Sequence, residues 1–446
     1  MGRKKKMDLE IVNPRAAGID VGSRSHFAAI DQDTQNIREF GVFAEDNEAL
    51  ADWLIENEIN TVAMESTGTY WQNLFVVLQS REIDVILTNG KFTKNIKGRK
   101  TDVQDCQWIQ KLHSLGLLSG SFLPDDKTEQ FRTYARQRTA WIKQGAAVSQ
   151  KMQKFLRLLN LRLDVAVSDI TGLTGMKIIK AVCQGITDAK ELSKLVHHNC
   201  RKSPEQIAKA LNFNNRKEYL FGLKQEYEMY LVIREKIKEC DQMIKDFLDN
   251  NIDNKLESPK KIYKKKNKNA PKNMDLNQLS YQYFGGVDLM AIEGVSDRTV
   301  LAIMSEIGPH GFKKFSTAKQ FTSWLRLAPN NKISGGKYLS TRVGKGSSRL
   351  KTALRQAANV LGNLKDSHLG DFFRRIAYRK GRVAAITATA RKLAVIIWKM
   401  VVHRVPYNPP NPYLFRDQKR AKMLQRMKKN IHKLSISPDE LGLSIS

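Results

Sequence analysis

Short apolar runs dominate the N-terminal part of the chain and alternate there with amphipathic segments. The runs at 16–20, 26–30 and 37–43 follow one another closely and predict three antiparallel strands. The pattern then predicts a helix over 47–57, a strand over 61–65, a helix over 70–79, a strand over 83–87 and a helix that carries Asp102 and Asp105. Antiparallel strands followed by alternating helices and strands indicate an α/β fold with a mixed sheet.

The middle of the chain has the longer period of amphipathic helices. Residues 125–160 and 216–250 predict two long helices, with smaller helices over 171–211 between them. The second long helix has a near-heptad apolar seam, which consists of Leu223, Tyr227, Tyr230, Ile233, Ile237, Cys240, Ile244 and Phe247. Such a seam pairs with another helix, either in a hairpin within the chain or in a coiled coil between chains.

The C-terminal part is predicted to be helical as well. A helix over 296–306 follows a tight turn at Gly294, as in helix-hairpin-helix elements that present backbone N–H groups to a phosphate. The alternative there is an ordinary capped helix. Further helices are predicted over 316–327, 347–361 and 383–404, and the basic tail after Pro412 is predicted to be loosely ordered.

A basic low-complexity stretch at 255–272 marks a boundary between domains. The predicted division is 1–125 for the α/β domain, 126–254 for the helical region, 255–275 for the linker, 276–415 for the C-terminal domain and 416–446 for the basic tail.

Charge is the strongest global signal of the sequence. The 446 residues include 75 Lys and Arg against 45 Asp and Glu, which gives a net charge of +30. Cations that neutralise phosphates release condensed counterions, so this balance is typical of proteins that bind nucleic acid. Solubility alone and a role at a membrane surface are the weaker explanations.

Several other classes of protein are disfavoured. The four cysteines form no CxxC pair, and His197, His198 and Cys200 lack a second pair of ligands, so neither a disulfide framework nor a zinc ribbon is predicted. The N-terminus lacks the apolar core of a signal peptide, and no apolar run reaches membrane length. We therefore expect a cytoplasmic protein without membrane contact, associated with the nucleoid when it acts on DNA.

Four carboxylates stand at positions suited to a metal site. Asp20 and Glu65 each end a predicted strand, and Asp102 and Asp105 lie three apart on one helix face. Adjacent anions repel each other unless a divalent cation neutralises them. Oxygen ligands select Mg²⁺ or Mn²⁺ over zinc, so the set predicts a metal site of the ribonuclease-H kind. The alternative is that these acids end strands or are solvated.

Ser334 is the second candidate for chemistry. It precedes Gly335 and Gly336 in a predicted basic loop between two helices, and glycines let the backbone approach a phosphate closely. A hydroxyl is a weak nucleophile without activation, and no His lies nearby in sequence, so chemistry alone favours an ordinary turn serine. The candidate nucleic-acid contacts around it are Lys332, Lys337, Arg342, Lys345 and Arg349.

Motifs at both ends of the chain resemble those of one family. The N-terminal motifs are GIDVGS with Asp20, AMESTGTYW with Glu65, and KGRKTDVQDCQWIQKLHSLGLL with Asp102 and Asp105. The C-terminal motifs are AIEGVSDRTVLAIMSEIG, FTSWLRLAPN, ISGGK and GKGSSRLKTALRQAANVL. Together they resemble the DEDD transposases of insertion sequences, the bridge-RNA-guided recombinases. Residues 190–275 match this family less closely.

The resemblance implies a RuvC-like ribonuclease-H fold whose four acids hold Mg²⁺ or Mn²⁺. It also implies that Ser334 attacks DNA and forms a covalent phosphoserine intermediate. A guide RNA would pair with donor and target DNA, which leaves the protein mainly backbone contacts and suits its positive charge. The expected assembly is a homodimer or homotetramer in which Ser334 reaches the acids of another protomer.

Two other functions use the same residues. A RuvC-like structure-specific endonuclease would use water as the nucleophile and would form no covalent adduct with DNA. A non-enzymatic RNA- or DNA-binding protein would carry the four acids as structural groups.

Overall fold

The chain divides into two compact units, Met1–Leu123 and Pro124–Ser446. The structure is a computed structural model that describes residues 9–66, 68–90, 101–198, 200, 202–252, 256–257, 259, 268–365, 367–409 and 412–436. Residues 98–100, which precede the predicted metal-site helix, and part of the predicted linker 255–275 lie outside these ranges. The finer division into domains stays a prediction.

A five-stranded mixed sheet forms the centre of the first unit. Its strands are β1 (Ala16–Val21), β2 (His26–Ala29), β3 (Ile37–Phe40), β4 (Thr61–Glu65) and β5 (Asp84–Thr88). The spatial order is β3-β2-β1-β4-β5, in which β3, β2 and β1 are antiparallel and β1, β4 and β5 are parallel. The helices of this unit are α1 (Ala44–Glu56), α2 (Trp71–Ser80) and α3 (Asp102–Ser114). The predicted ribonuclease-H-like α/β fold is confirmed.

The two faces of the sheet have different coverings. Residues 17, 19 and 21 of β1 and residues 62 and 64 of β4 lie in a buried core with the apolar side chains of α1 and α2. Because side chains alternate along a strand, Gly18 and Asp20 belong to the opposite face. Helix α3 packs on that face, against β1, β2 and β4.

The second unit is largely helical. Its helices are α4 (Asp126–Leu158), α5 (Leu163–Ala166), α6 (Leu173–Cys183), α7 (Ala189–Ser193), α8 (Pro204–Leu211), α9 (Lys217–Asn251), α10 (Leu276–Tyr283), α11 (Asp297–Glu306), α12 (Gly308–Gly311), α13 (Ala318–Trp324), α14 (Arg349–Leu361), α15 (His368–His403) and α16 (Pro412–Lys433). One hairpin, β6 (Lys332–Ser334) with β7 (Lys337–Ser340), interrupts them.

The apolar seam of α9 packs against α4 of the same chain. The rings of Phe131 and Phe247 lie 5.2 Å apart near one end of the pair, and Lys151 reaches Glu226 at 3.2 Å near the other. The helices are therefore antiparallel, and the hairpin is the alternative that the structure supports. Arg138 of α4 forms a buried ion pair with Asp241 of α9 across the hairpin.

The C-terminal tail differs from its prediction. Residues 412–433 form helix α16, whereas the sequence was predicted to be loosely ordered there. Leu, Met, Gln, Lys and Arg dominate this segment, and no Gly or Pro follows Pro412 within it. These residues have high helix propensity, which outweighs their charge as a signal. In the described part of the chain, no helix combines the length and apolarity needed to cross a membrane.

The turn before α11 is a tightly packed element. Gly294 has a φ of +76°, and a Cβ there would lie 2.6 Å from Cγ of Leu361 in α14. The glycine is thus needed both for the backbone conformation and for close packing. A contact of this turn with a phosphate stays a prediction.

Candidate active site

Asp20 and Glu65 lie at neighbouring strand ends. Strands β1 and β4 are parallel, and their pairing places Ile19 beside Met64. Asp20 and Glu65 are the next residues along the two strands, and paired residues of parallel strands point to the same face. Both side chains are half-buried. The two acids therefore share the carboxyl edge of the sheet, on the face that α3 covers.

Helix α3 runs antiparallel to β1 and β4 on this face. Near its C-terminal end, Nε2 of His113 lies 2.9 Å from Oγ1 of Thr61, the first residue of β4. The side-chain amide of Gln110 donates to the carbonyl of Ala16, the first residue of β1. The N-terminal turn of α3 therefore lies toward the strand ends, and it carries Asp102 and Asp105. All four predicted acids belong to one edge of the sheet.

The electrostatics of one buried thiol support this arrangement. Cys106 is fully buried next to Asp105. Burial raises the pKa of its thiol to about 12, and the carboxylates of Asp20 and Asp105 add to the rise. Asp20 and Asp105 thus act on the same atom from a strand and from a helix.

Two glycines, which the sequence analysis did not identify, make room for the site. A Cβ on Gly18 would lie 2.5 Å from the carbonyl oxygen of Cys106, so β1 and α3 are in backbone contact. A Cβ on Gly90 would lie 2.8 Å from Cδ of Glu65, so that carboxylate packs against glycine backbone. The small residues Ala16 and Gly18 on the Asp20 face of β1 were the sequence signal that a helix packs closely on that face.

We expect Gly18→Ala to destabilise the first unit by about 3 kcal/mol, at the upper end of the usual overpacking range. The added methyl group would collide with helix backbone, which has no alternative rotamer. Urea denaturation followed by the fluorescence of Trp53 and Trp71 would measure the loss.

Gly120→Ala is the matched control for this prediction. Its Cβ would lie 3.6 Å from Cγ2 of Ile86, an ordinary contact distance, so a change below about 0.5 kcal/mol is expected. Equal effects of the two substitutions would contradict the close packing of α3 on β1.

The four acids do not form a closed ligand set. Among the residues that the structure describes, no group of three or more His, Cys, Asp and Glu side chains is close enough to hold a metal ion. The donor chemistry nevertheless fits a hard divalent cation, because all four donors are carboxylates on one accessible edge. Their assignment as ligands stays a proposal.

Ser334 lies on a β-hairpin rather than in the predicted loop. It is the last residue of β6 and pairs with Lys337 across a two-residue turn. Gly335 and Gly336 both have positive φ, +53° and +73°, as a type I′ hairpin turn requires. A Gly-Gly pair between short runs containing Ile333 and Tyr338 was the sequence signal for this hairpin.

The hairpin is anchored at its base and exposed beyond it. The backbone N–H of Asn330 donates to the carbonyl of Arg342 at 2.9 Å, and Pro329 forms a bridge with Val343. Ser334 is exposed, as are the five predicted nucleic-acid contacts Lys332, Lys337, Arg342, Lys345 and Arg349. Exposed apolar side chains also belong to the hairpin, namely Ile333, Tyr338 and Leu339.

Two family models match the chain in the order that the motifs suggest. Residues 17–160 match the DEDD transposase model of the IS110 type, and residues 288–374 match the model described as "Transposase IS116/IS110/IS902 family". Together the matches cover about half of the chain. The chain belongs to the IS110 family of transposases. The first match contains all four carboxylates, and the second contains Ser334 and the five cations of the hairpin region.

One curated relative is similar over a shorter stretch. A "Probable family 20 transposase" of Pseudomonas aeruginosa is 28% identical over 126 residues, which are 27% of this chain and 36% of that protein. The chain thus matches only about a third of the length of this relative. Residues 161–287, which include α9, lie outside both matches to the IS110 family.

Proposed function

We propose that this chain is a DNA transposase that cleaves donor and target DNA and joins the donor ends to the target ends. The observation that supports the proposal is that Asp20 and Glu65 lie near the ends of neighbouring parallel strands, while the helix whose first turn carries Asp102 and Asp105 packs antiparallel on the same face. Membership of the IS110 family supports DNA as the substrate and phosphoryl transfer as the reaction.

The four acids would hold Mg²⁺ or Mn²⁺. A bound ion supplies polarisation of a phosphodiester and stabilises negative charge that develops on its oxygens. The protein would contribute by holding the acids in place, since Asp20 and Glu65 lie near the ends of paired strands and Asp102 and Asp105 lie in the first turn of a helix packed on those strands.

Ser334 is the proposed nucleophile. Its Oγ forms a bond to phosphorus while the bond to the leaving sugar oxygen breaks, and the hydroxyl proton passes to a base. The phosphoserine intermediate is itself a phosphodiester. A sugar hydroxyl of another strand can therefore attack its phosphorus and release the serine. The exposed position of Ser334 beside a hairpin turn supports its access to a DNA backbone.

A guide RNA and an oligomer complete the proposal. Pairing of an RNA with donor and target DNA would select the sites, and the net charge of +30 suits a protein that contacts mainly phosphates. A homodimer or homotetramer would bring hairpins and acids of several protomers to the DNA strands.

The test is the detection of a covalent protein–DNA adduct. The full-length protein is co-expressed with its flanking DNA so that any guide RNA is present, and is then mixed with Mg²⁺ and labelled donor and target duplexes. After denaturation, wild-type protein is expected to carry label, and Ser334→Ala is expected to carry none.

Ser340→Ala is the matched control, because Ser340 ends the partner strand of the same hairpin and pairs with Lys332. It is expected to keep the adduct. Cleaved DNA without an adduct in the wild-type protein would refute the serine mechanism and favour water as the nucleophile. An adduct that survives in Ser334→Ala and disappears in Ser340→Ala would move the nucleophile to the other strand.

A further inference from the structure

A groove of about 530 Å³ lies along α14, next to the loop that follows the serine hairpin, and Val360 and Ile386 give it an apolar side. Thr352, Gln356 and Asn359 recur three or four residues apart, so one face of α14 forms a wall of the groove. Ser347, Lys351 and Arg355 also line it. Hydroxyl, amide, ammonium and guanidinium groups therefore converge on one space.

The first turn of α14 carries cations, whereas the first turn of a helix usually favours acids. The N-terminal end of a helix dipole is positive, so acids are favoured in the first turn and cations are disfavoured there. The first turn of α14 has no acid, and it contains Arg349 and Lys351. The whole helix, Arg349–Leu361, has no Asp or Glu. Arg349 approaches Glu306 at 3.9 Å, so the helix dipole and Lys351 are the two sources of positive potential at this end of α14.

Lys351 is buried in this positive environment. Lys351 is only 6% exposed, and its Nζ donates to the carbonyl of Gly346 at 3.0 Å. Burial lowers the pKa of this lysine, and Arg355 and Arg326 lower it further. Within the described part of the chain, no carboxylate forms an ion pair with Lys351. A buried cation without a counter-charge costs free energy unless an anion binds beside it.

The groove wall is fixed by two arginines outside α14. The guanidinium of Arg326 donates to the carbonyl of Lys345, and a Cβ on Gly346 would overlap that guanidinium. Farther along α14, Arg382 donates to Oδ1 of Asn359 at 2.7 Å. Asn359 therefore keeps its two N–H donors for other partners, beside a further cation.

We propose that this groove binds a phosphate of a nucleic-acid backbone, with Lys351 and Arg355 as the charged contacts. The hydroxyl of Thr352 donates to the carbonyl of Ser348 at 2.9 Å, and Oγ of Ser347 lies 3.2 Å from it, so the exposed Ser347 hydroxyl is the one that can turn to donate to an anion. The loop that joins the hairpin to this wall carries Arg342 and Lys345, so cationic residues follow the chain from the hairpin to the groove. This continuity favours a polymer backbone over a free phosphate. The inference rests on the proposed function for the identity of the polymer.

The test measures binding without cleavage. Full-length Lys351→Met and Arg355→Gln are titrated against a labelled random-sequence DNA duplex and against single-stranded RNA of matched length, over a range of KCl concentrations. Each variant is expected to bind about tenfold more weakly at physiological salt, with a salt slope smaller by about 1, because one phosphate contact is lost.

Lys194→Gln is the control for the loss of one positive charge. Lys194 is exposed and pairs with Glu191, so its substitution should leave the salt slope unchanged. Thermal melting shows whether each variant is folded, and Arg355, which is only half-buried, keeps the test valid if Lys351→Met unfolds.

The outcomes separate the groove from the proposed mechanism. Weaker binding of both polymers supports a phosphate contact, and weaker binding of one assigns the groove to that polymer. Wild-type affinity and slope in both variants would overturn the proposal, even in a protein that cleaves DNA. It would also be overturned if the two substitutions abolished binding of inorganic phosphate but left binding of both nucleic acids unchanged. Loss of the covalent adduct in Ser334→Ala has no bearing on these measurements.

Discussion

Replacing Asp105 by Asn is expected to reduce DNA cleavage by about 10³-fold or more while the first unit stays folded. A carboxylate that helps to hold a divalent cation supports several kcal/mol of charge stabilisation, and each 1.4 kcal/mol changes the rate tenfold. Asn keeps the shape and one oxygen of Asp but removes the charge. Asp20→Asn, Glu65→Gln and Asp102→Asn should have effects of the same order.

Asp52→Asn is the matched control. Asp52 is an exposed acid on α1, it pairs with Arg81, and α1 packs on the other face of the sheet from α3. Cleavage of labelled duplexes gives the rates, and circular dichroism confirms the fold. A rate above a tenth of the wild-type value in Asp105→Asn would remove this residue from the proposed metal site.

The second large effect is expected at the ion pair inside the helical hairpin. Arg138 and Asp241 are both about 5% exposed, and the guanidinium donates to the carboxylate and to the carbonyl of Asn269. Asp241→Ala would leave a buried guanidinium without its counter-charge, which costs about 3–5 kcal/mol of unfolding free energy. Hydrogen exchange of the α4 and α9 amides would measure the loss at the hairpin itself.

The double variant Arg138→Met/Asp241→Leu tests the cause. Apolar side chains of similar volume need no counter-charge, so the double variant should be more stable than Asp241→Ala. Glu239→Ala, which breaks an exposed pair with Lys236 on the same helix, should change stability by less than about 1 kcal/mol. A double variant no more stable than Asp241→Ala would show that the lost charge is not the cause.

The sheet and the acid positions were predictable because they rest on local periodicity. Asp20 and Glu65 each follow an apolar run, and strand ends of a parallel pair meet at one edge. The Arg138–Asp241 pair was not predictable in this way, since the two residues are 103 positions apart and the seam around each is apolar. The packing of Gly18 against Cys106 likewise depends on which helix covers which face, and one strand alone does not specify this.

Two errors came from giving one signal too much weight. The basic character of 412–433 suggested disorder, although its residues favour a helix. The basic character of the Ser334 segment suggested a loop, although its paired glycines fit a hairpin turn. In both segments the conformational preference of the backbone decided the structure.

The hairpin geometry also constrains how this segment can change in length. Each residue added to a strand extends it by about 3.3 Å and turns the following side chains to the opposite face. One extra residue in each strand would therefore lengthen the hairpin but present Ser334 on the wrong side. Two extra residues in each strand would restore its direction and move it outward by about 7 Å. If Ser334 is the nucleophile, as proposed, homologues with a longer or shorter hairpin should therefore differ by even numbers of residues in each strand between the anchored base and the Gly-Gly turn.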